Sequence, residues 1–262
     1  MGARAWFRPS PESFAPWRRL VLAVLLALAF AGPAAAAQGE EVDLQLVLAI
    51  DVSGSIDDVE AQLQRNGYLK ALAHPKVVEA IKSGPIGRIA VTYIEWAGDS
   101  FQHTVIEWRV IHDEASARAF VSALAETPIL RERRTSISGA IDYAKARIAE
   151  SGFKSARRAI DISGDGYNNI GRDVTAARDE AVAAGITING LPIINDRPNP
   201  FGRPAIVDLD KYFESNVIGG PGAFVVVAKD FDSFASAILQ KLILEISGLT
   251  PGDGRAIAVL GR

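Results

Sequence analysis

Asp51, Ser53 and Ser55 stand at i, i+2 and i+4 in the stretch LQLVLAIDVSGS, one acid and two hydroxyls just after a mostly apolar run. At that spacing three small oxygen-bearing side chains can converge on one point. A hard cation is the ligand such a set suits. Mg²⁺ takes oxygen donors in an octahedron and keeps several waters, so a carboxylate with hydroxyls fits it better than thiols or imidazoles would. The same D-x-S-x-S pattern also describes a loop whose Asp and Ser side chains bond to neighbouring backbone, and nothing within the stretch separates the two readings.

Other chemistries are poorly supplied. The chain has no cysteine, which removes disulfides, thiol catalysis and zinc–thiolate sites. Its three histidines, His74, His103 and His112, do not pair at metal-ligand spacing. Ser53 and Ser163 lack the G-x-S-x-G context of a hydrolase nucleophile. A metal-dependent hydrolase acting on phosphate or ester substrates is the enzymatic alternative, and it needs a general base, for which only Asp99 or Asp196 is at hand if folding brings one in.

Two further residues extend the pattern: Thr135 in RRTSISGAI, ahead of a helix, and Asp165 in AIDISGDG, after another apolar run. In this order the three segments resemble the von Willebrand factor A (vWA) domain and its metal-ion-dependent adhesion site, over about residues 41–247. The resemblance implies a Rossmann-like fold and a site for Mg²⁺ (or Mn²⁺ or Ca²⁺) made by Asp51, Ser53, Ser55, Thr135 and Asp165. It also implies a binding module whose metal takes an Asp or Glu from a protein partner. Two positions depart from the family pattern. Arg133 and Arg134 precede the threonine where glycine is common, and Gly164 precedes Asp165 where a hydroxyl is common.

The elements that must position these residues alternate. Residues 44–50 are too short for a globular helix and nearly continuous in apolarity, as expected of a strand buried on both faces of a parallel sheet. Helices are expected over 57–73, 77–81, 113–126, 138–151, 174–184 and 230–246, and strands over 88–97, 103–111, 157–163, 186–194 and 223–228. The second and third strands, joined by Gly98-Asp99-Ser100, read as an antiparallel hairpin at one edge, and Arg157 and Arg158 read as solvated flanks. Parallel strands require crossover helices, so the fold class is α/β: a doubly wound, mostly parallel sheet with one antiparallel edge strand and helices on both faces. Loops at the carboxyl ends of its strands then form the ligand crevice, which is where Asp51 and Asp165 fall.

Around this core the chain divides into three further parts. Residues 1–37 read as a secretory signal: Arg18 and Arg19, the apolar run LVLAVLLALAFA, then GPAAAAQ with cleavage after Ala37. That points to a periplasmic or secreted protein, attached to a membrane only if the segment stays uncleaved. The formal charge is −3, and losing four arginines and one glutamate with the signal leaves −6, which argues against nucleic acid as a partner. The vWA-like domain spans 38–247. Within it, residues 195–222 form a Pro- and Gly-rich insert longer than the usual connection of about 2–6 residues. Phe201, Tyr212 and Phe213, on a segment stiffened by Pro198, Pro200 and Pro204, mark it as the candidate specificity element. Residues 248–262 form a loose tail.

Overall fold

The computed structural model describes residues 2, 39–194, 206–230 and 233–253. The expected signal segment therefore lies outside the described residues, as do Asp196, Pro198, Pro200, Phe201 and Pro204. Among the described residues no helix is long and apolar enough to cross a membrane.

Strand β1 (Glu41–Asp51) is the centre of a five-stranded sheet of order β3-β2-β1-β4-β5. It pairs in parallel with β2 (Ile89–Trp96) and β4 (Lys154–Gly164), and β4 pairs in parallel with β5 (Thr187–Pro192). The hairpin strand β3 (Gln102–Ile111) is the antiparallel edge. β1 is apolar on both faces because both are covered. Leu44, Leu46, Leu48 and Ile50 pack under α1 (Asp58–Leu72), α2 (Pro75–Lys82), α3 (Glu114–Ala125) and α7 (Phe234–Ser247). Val47 and Ala49 point the other way, toward α4 (Ile137–Ala149), α5 (Val174–Ala183) and α6 (Leu209–Tyr212). Each fully buried Leu or Ile is worth about 1.5–3 kcal/mol, so these two layers supply most of the drive to fold.

The helix boundaries follow from capping. Asp57 and Glu60 form a reciprocal capping box at the start of α1, directly after the Ser53–Ser55 turn, so the helix begins where the site loop ends. Asp113 does the same for α3 with Ser116. α1 and α7 approach closely at Gly67, where an added Cβ would lie 2.8 Å from the Phe234 ring. Gly248 closes α7 in the left-handed conformation at φ 68°, and the Leu249 N–H reaches the Leu244 carbonyl.

Four expectations are corrected. Residues 223–228 do not form a full strand. Gly190 N–H bonds to Phe224 O, and Val226 and Ala228 N–H bond to Gly190 and Pro192 O. The intervening rung would need an N–H from Pro192, which proline lacks, so only isolated bridges at Val225 and Ala228 remain. Arg157 is no solvated flank, for its guanidinium bonds the Ile246 carbonyl at 2.8 Å, and the Glu245 carbonyl, at the carboxyl end of α7. Phe213, in a π-helical turn (Phe213–Val217) that continues α6, is fully buried in the core and cannot anchor a partner. The tail begins ordered, with Leu249 buried.

Candidate functional site

Asp51 ends β1 opposite Trp96, and its carboxylate is wholly buried. Oδ1 accepts the Ser53 N–H at 2.7 Å, while Oδ2 has no hydrogen-bond partner. The main chain is fixed from both sides: Gln64 Nε2 donates to Asp51 O at 3.0 Å, and the Val52 N–H donates to Trp96 O. The two serines join this acid to the next strand end. Ser53 Oγ lies 3.2 Å from Ser55 Oγ, and Ser55 Oγ donates to Asp165 Oδ1 at 2.6 Å.

Thr135 arrives on a third loop. A bridge between Ser53 and Glu132, with the Glu132 N–H on Val52 O, lays the 130–135 segment along the first loop. Its other end is held by Ser136 N–H on Ala97 O at 2.7 Å, and by a two-way clasp with Asn169: Thr135 N–H to Asn169 Oδ1 at 3.0 Å, Asn169 N–H to Thr135 O at 2.8 Å. Thr135 Oγ1 faces the loop after Asp165, 3.5 Å from where a Cβ on Gly166 would stand. The structure thus gathers all five candidate residues at one edge of the sheet. Asp51, Ser53, Ser55 and Asp165 form a continuous chain of contacts, with Thr135 beside it.

The electrostatics of this cluster are unusual. Burial, then the neighbouring Asp165 charge, pushes the Asp51 carboxyl well above its ordinary range. Burial likewise raises Asp165 to about 6, against the lowering effect of the Ser55 hydroxyl. Two carboxylates that resist ionising, one with an unpaired buried oxygen, and three hydroxyls make an all-oxygen donor set short of positive charge. Such a set fits a divalent hard cation, which would relieve both acids at once.

Both departures from the family pattern acquire a physical meaning. A Cβ on Gly164 would come within 3.0 Å of Asp51 Oδ2 and 3.5 Å of Trp96, so the glycine leaves room for the free oxygen. Arg134 sits at φ 72°, the left-handed region, where a side chain costs about 1–2 kcal/mol and glycine costs nothing.

The sequence reading missed the supports. Asn168 Oδ1 accepts from Ser138 N–H at 3.0 Å and Asn169 holds Thr135, so the pair in GYNN locks the start of α4 to the Asp165 loop. Arg65 pairs with Glu95 in the core and donates to Leu124 O and Thr127 Oγ1, tying α1 to β2 and to the segment that leads to Thr135. Two adjacent asparagines after an apolar run were the available signal for the first; nothing local marks the second. The other nominated residues fall elsewhere. Ser163 is buried on the α1/α7 face, Asp99 lies on the hairpin turn near Gly171, and His74, His103 and His112 sit at the α2 cap, opposite Glu95 and beside Asp113. The described half of the insert leans on the site: Tyr212 packs on Tyr167 with ring centres 4.6 Å apart, and the Tyr167 hydroxyl donates to Val207 O.

A doubly wound, mostly parallel sheet with one antiparallel edge strand and helices on both faces is the vWA-type fold. The chain belongs to the family described as protein of unknown function (DUF1194), which it matches over residues 41–250. No curated protein matches it. Among solved structures it is similar to proximal thread matrix protein 1 of the mussel byssus, with TM-score 0.58 and 11% identity over 80% of this chain and 49% of that one. That protein has also been solved with a zinc-occupied MIDAS motif. A von Willebrand factor type A protein from Catenulispora acidiphila gives TM-score 0.55 and 14% identity, covering 78% of this chain and 43% of that one. An aerotolerance-related membrane protein from Bacteroides fragilis gives 0.52 and 22%, covering 79% and 100%. The chain thus spans about half the length of the mussel protein.

Proposed function

We propose that Asp51, Ser53, Ser55, Thr135 and Asp165 hold a divalent cation, Mg²⁺ or else Mn²⁺ or Ca²⁺, and that the domain captures a protein partner through it. The observation that carries this reading is the free, fully buried Oδ2 of Asp51 beside a second raised carboxyl and two linked hydroxyls. A buried carboxylate oxygen with no donor is costly unless a cation completes it. A bound cation with few charged ligands keeps Lewis acidity for an incoming carboxylate. This chain's residues do the rest. Ser53 and Ser55 orient the donors, Asn169 fixes Thr135, and Trp96 and the core below exclude water from the Asp51 side. The zinc in the mussel protein's MIDAS supports divalent metal at this kind of site.

In the same reading, residues 1–37 direct export, the mature chain begins at Gln38, and the partner is met in the periplasm or outside the cell. The test is titration calorimetry on the mature protein. One Mg²⁺ or Mn²⁺ binding event is expected, and Asp51→Ala should abolish it while circular dichroism shows the fold retained. Cation binding that survives in Asp51→Ala would remove the assignment.

A further inference from the structure

We infer that Arg133 and Arg134 form a second anion contact beside the cation site, so that the partner offers a short acidic segment with two carboxylates rather than one. This rests on the metal-centred reading above. Three arginines crowd the loop before Thr135, and they are not equivalent. Arg131 is committed, donating to Asp58 Oδ1 at 2.6 Å and to Ile56 O. The guanidinium groups of Arg133 and Arg134 make no hydrogen bond or ion pair among the described residues, and both residues are exposed. The nearby acids do not take them. Asp58 holds Arg131, Glu132 accepts the backbone N–H of Arg133 at 2.8 Å, and Asp99 makes no ion pair among the described residues.

The backbone beneath them is fixed. The Ser53–Glu132 bridge holds one end, and Thr135 and Ser136, bonded to Asn169 and Ala97, hold the other. Gly98 leaves room for the Arg133 carbonyl, which would be 3.0 Å from any Cβ there. Arg134 keeps φ 72° within this clamp, a conformation that Gly or Asn would hold at less strain. Two unpaired guanidinium groups are therefore presented from a rigid loop, one residue and two residues before a proposed metal ligand, on a chain of net negative charge. A planar guanidinium matches a carboxylate with two parallel hydrogen bonds, and a pre-set loop reduces the ordering cost of making them. Neighbouring Cα atoms are about 3.8 Å apart, so the second acid belongs within about three residues of the one at the cation.

The experiment is a peptide display selection on the mature protein. Extended peptides with one fixed Asp and random flanks are selected in Mg²⁺ and in EDTA, on the wild type and on Arg133→Ser/Arg134→Asn, in which Asn still accepts the left-handed backbone. Calorimetry and thermal melting must show the double variant folded with its Mg²⁺ binding unchanged; if it misfolds, Arg133→Ser alone carries the same comparison. On the wild type, Mg²⁺-dependent peptides should be enriched in a second Asp or Glu within three positions. A synthetic two-acid peptide from that pool should bind the variant about tenfold more weakly, and a one-acid peptide within about twofold of wild type, as a charge-assisted pair of about 1.4 kcal/mol requires. Equal selection of one-acid peptides by both proteins would overturn the two-acid inference and leave the metal reading intact. If the wild type binds no Mg²⁺ in calorimetry, the metal reading falls; if it binds Mg²⁺ but selects no Mg²⁺-dependent peptide, partner capture falls and this inference with it.

Discussion

Asp51 carries the sharpest consequence at the residue scale. Its folded pKa is raised by burial and by Asp165, and Asp165 is itself raised to about 6 from an ordinary 3.8. A raised acid binds its proton more tightly folded than unfolded, so its contribution is fully present below the unfolded value and is lost as pH rises through the folded one. Through Asp165 the cation-free protein should therefore lose stability between about pH 4 and 6, with Asp51 adding a further loss as pH rises, and added Mg²⁺ should offset both. Asp51→Asn removes the charge but keeps the shape. It is expected to melt higher than wild type in EDTA at pH 7, by about 1–3 kcal/mol, and to gain nothing from Mg²⁺. Thermal melts across pH, with and without Mg²⁺, check both; an Asp51→Asn protein that melts lower in EDTA would show that the charge is not strained.

Two features matter at the scale of elements. The first joins α7 to the sheet: Lys241, fully buried, lies 2.5 Å from Asp161 of β4 and 3.4 Å from Glu245, and Asn189 of β5 donates to Glu245 at 2.6 Å. Burial raises the Asp161 carboxyl to about 7 even so. Removing Lys241 leaves two buried acids without the ion-pair partner they share. Lys241→Met should cost about 3–5 kcal/mol in chemical denaturation at pH 7, and less at pH 5, where Asp161 can protonate. The second is α6 with its π turn. Leu209, Phe213 and Val217 are buried against α5 and β5. This segment is thus scaffold as well as rim, and excising all of 196–221 would remove core side chains together with Val207 and Tyr212, the partners of Tyr167. Phe213→Ala is expected to lower stability by about 3–5 kcal/mol, measured by denaturant titration, whereas trimming 196–205 alone spares those side chains.

At the scale of the molecule, the proposed cation site is where three loops meet and where the sheet gives out, so its geometry depends on the whole β2-β1-β4 register. That register is set by buried apolar pairs such as Leu48 with Tyr93 and Val47 with Ile160. A fold of this kind, without disulfides, depends on core packing and on what binds it; at cation levels a hundredfold above Kd, the proposed binding would add about 2.7 kcal/mol. Export itself is checked by cell fractionation and amino-terminal sequencing. Mature protein from the envelope fluid should begin at Gln38, and an intact amino terminus in the membrane fraction would favour an anchor.

The sequence by itself determined the alternation of elements, the buried centre strand and the nomination of Asp51, Ser53, Ser55, Thr135 and Asp165, because apolar runs, capping acids and D-x-S-x-S are all local patterns. Tertiary structure alone decided the rest, since it depends on residues far apart in the chain. Whether Asp51 Oδ2 finds a donor depends on Gly164 and Trp96. Whether Arg157 is solvated depends on where α7 ends. Pro192 silences one rung of a ladder whose other side is more than thirty residues away, and Phe213 became core because Gly190 left it space. Arg134 is legible in the sequence as a departure from glycine, but its positive φ comes from clamps at Glu132 and Asn169 that no local pattern encodes.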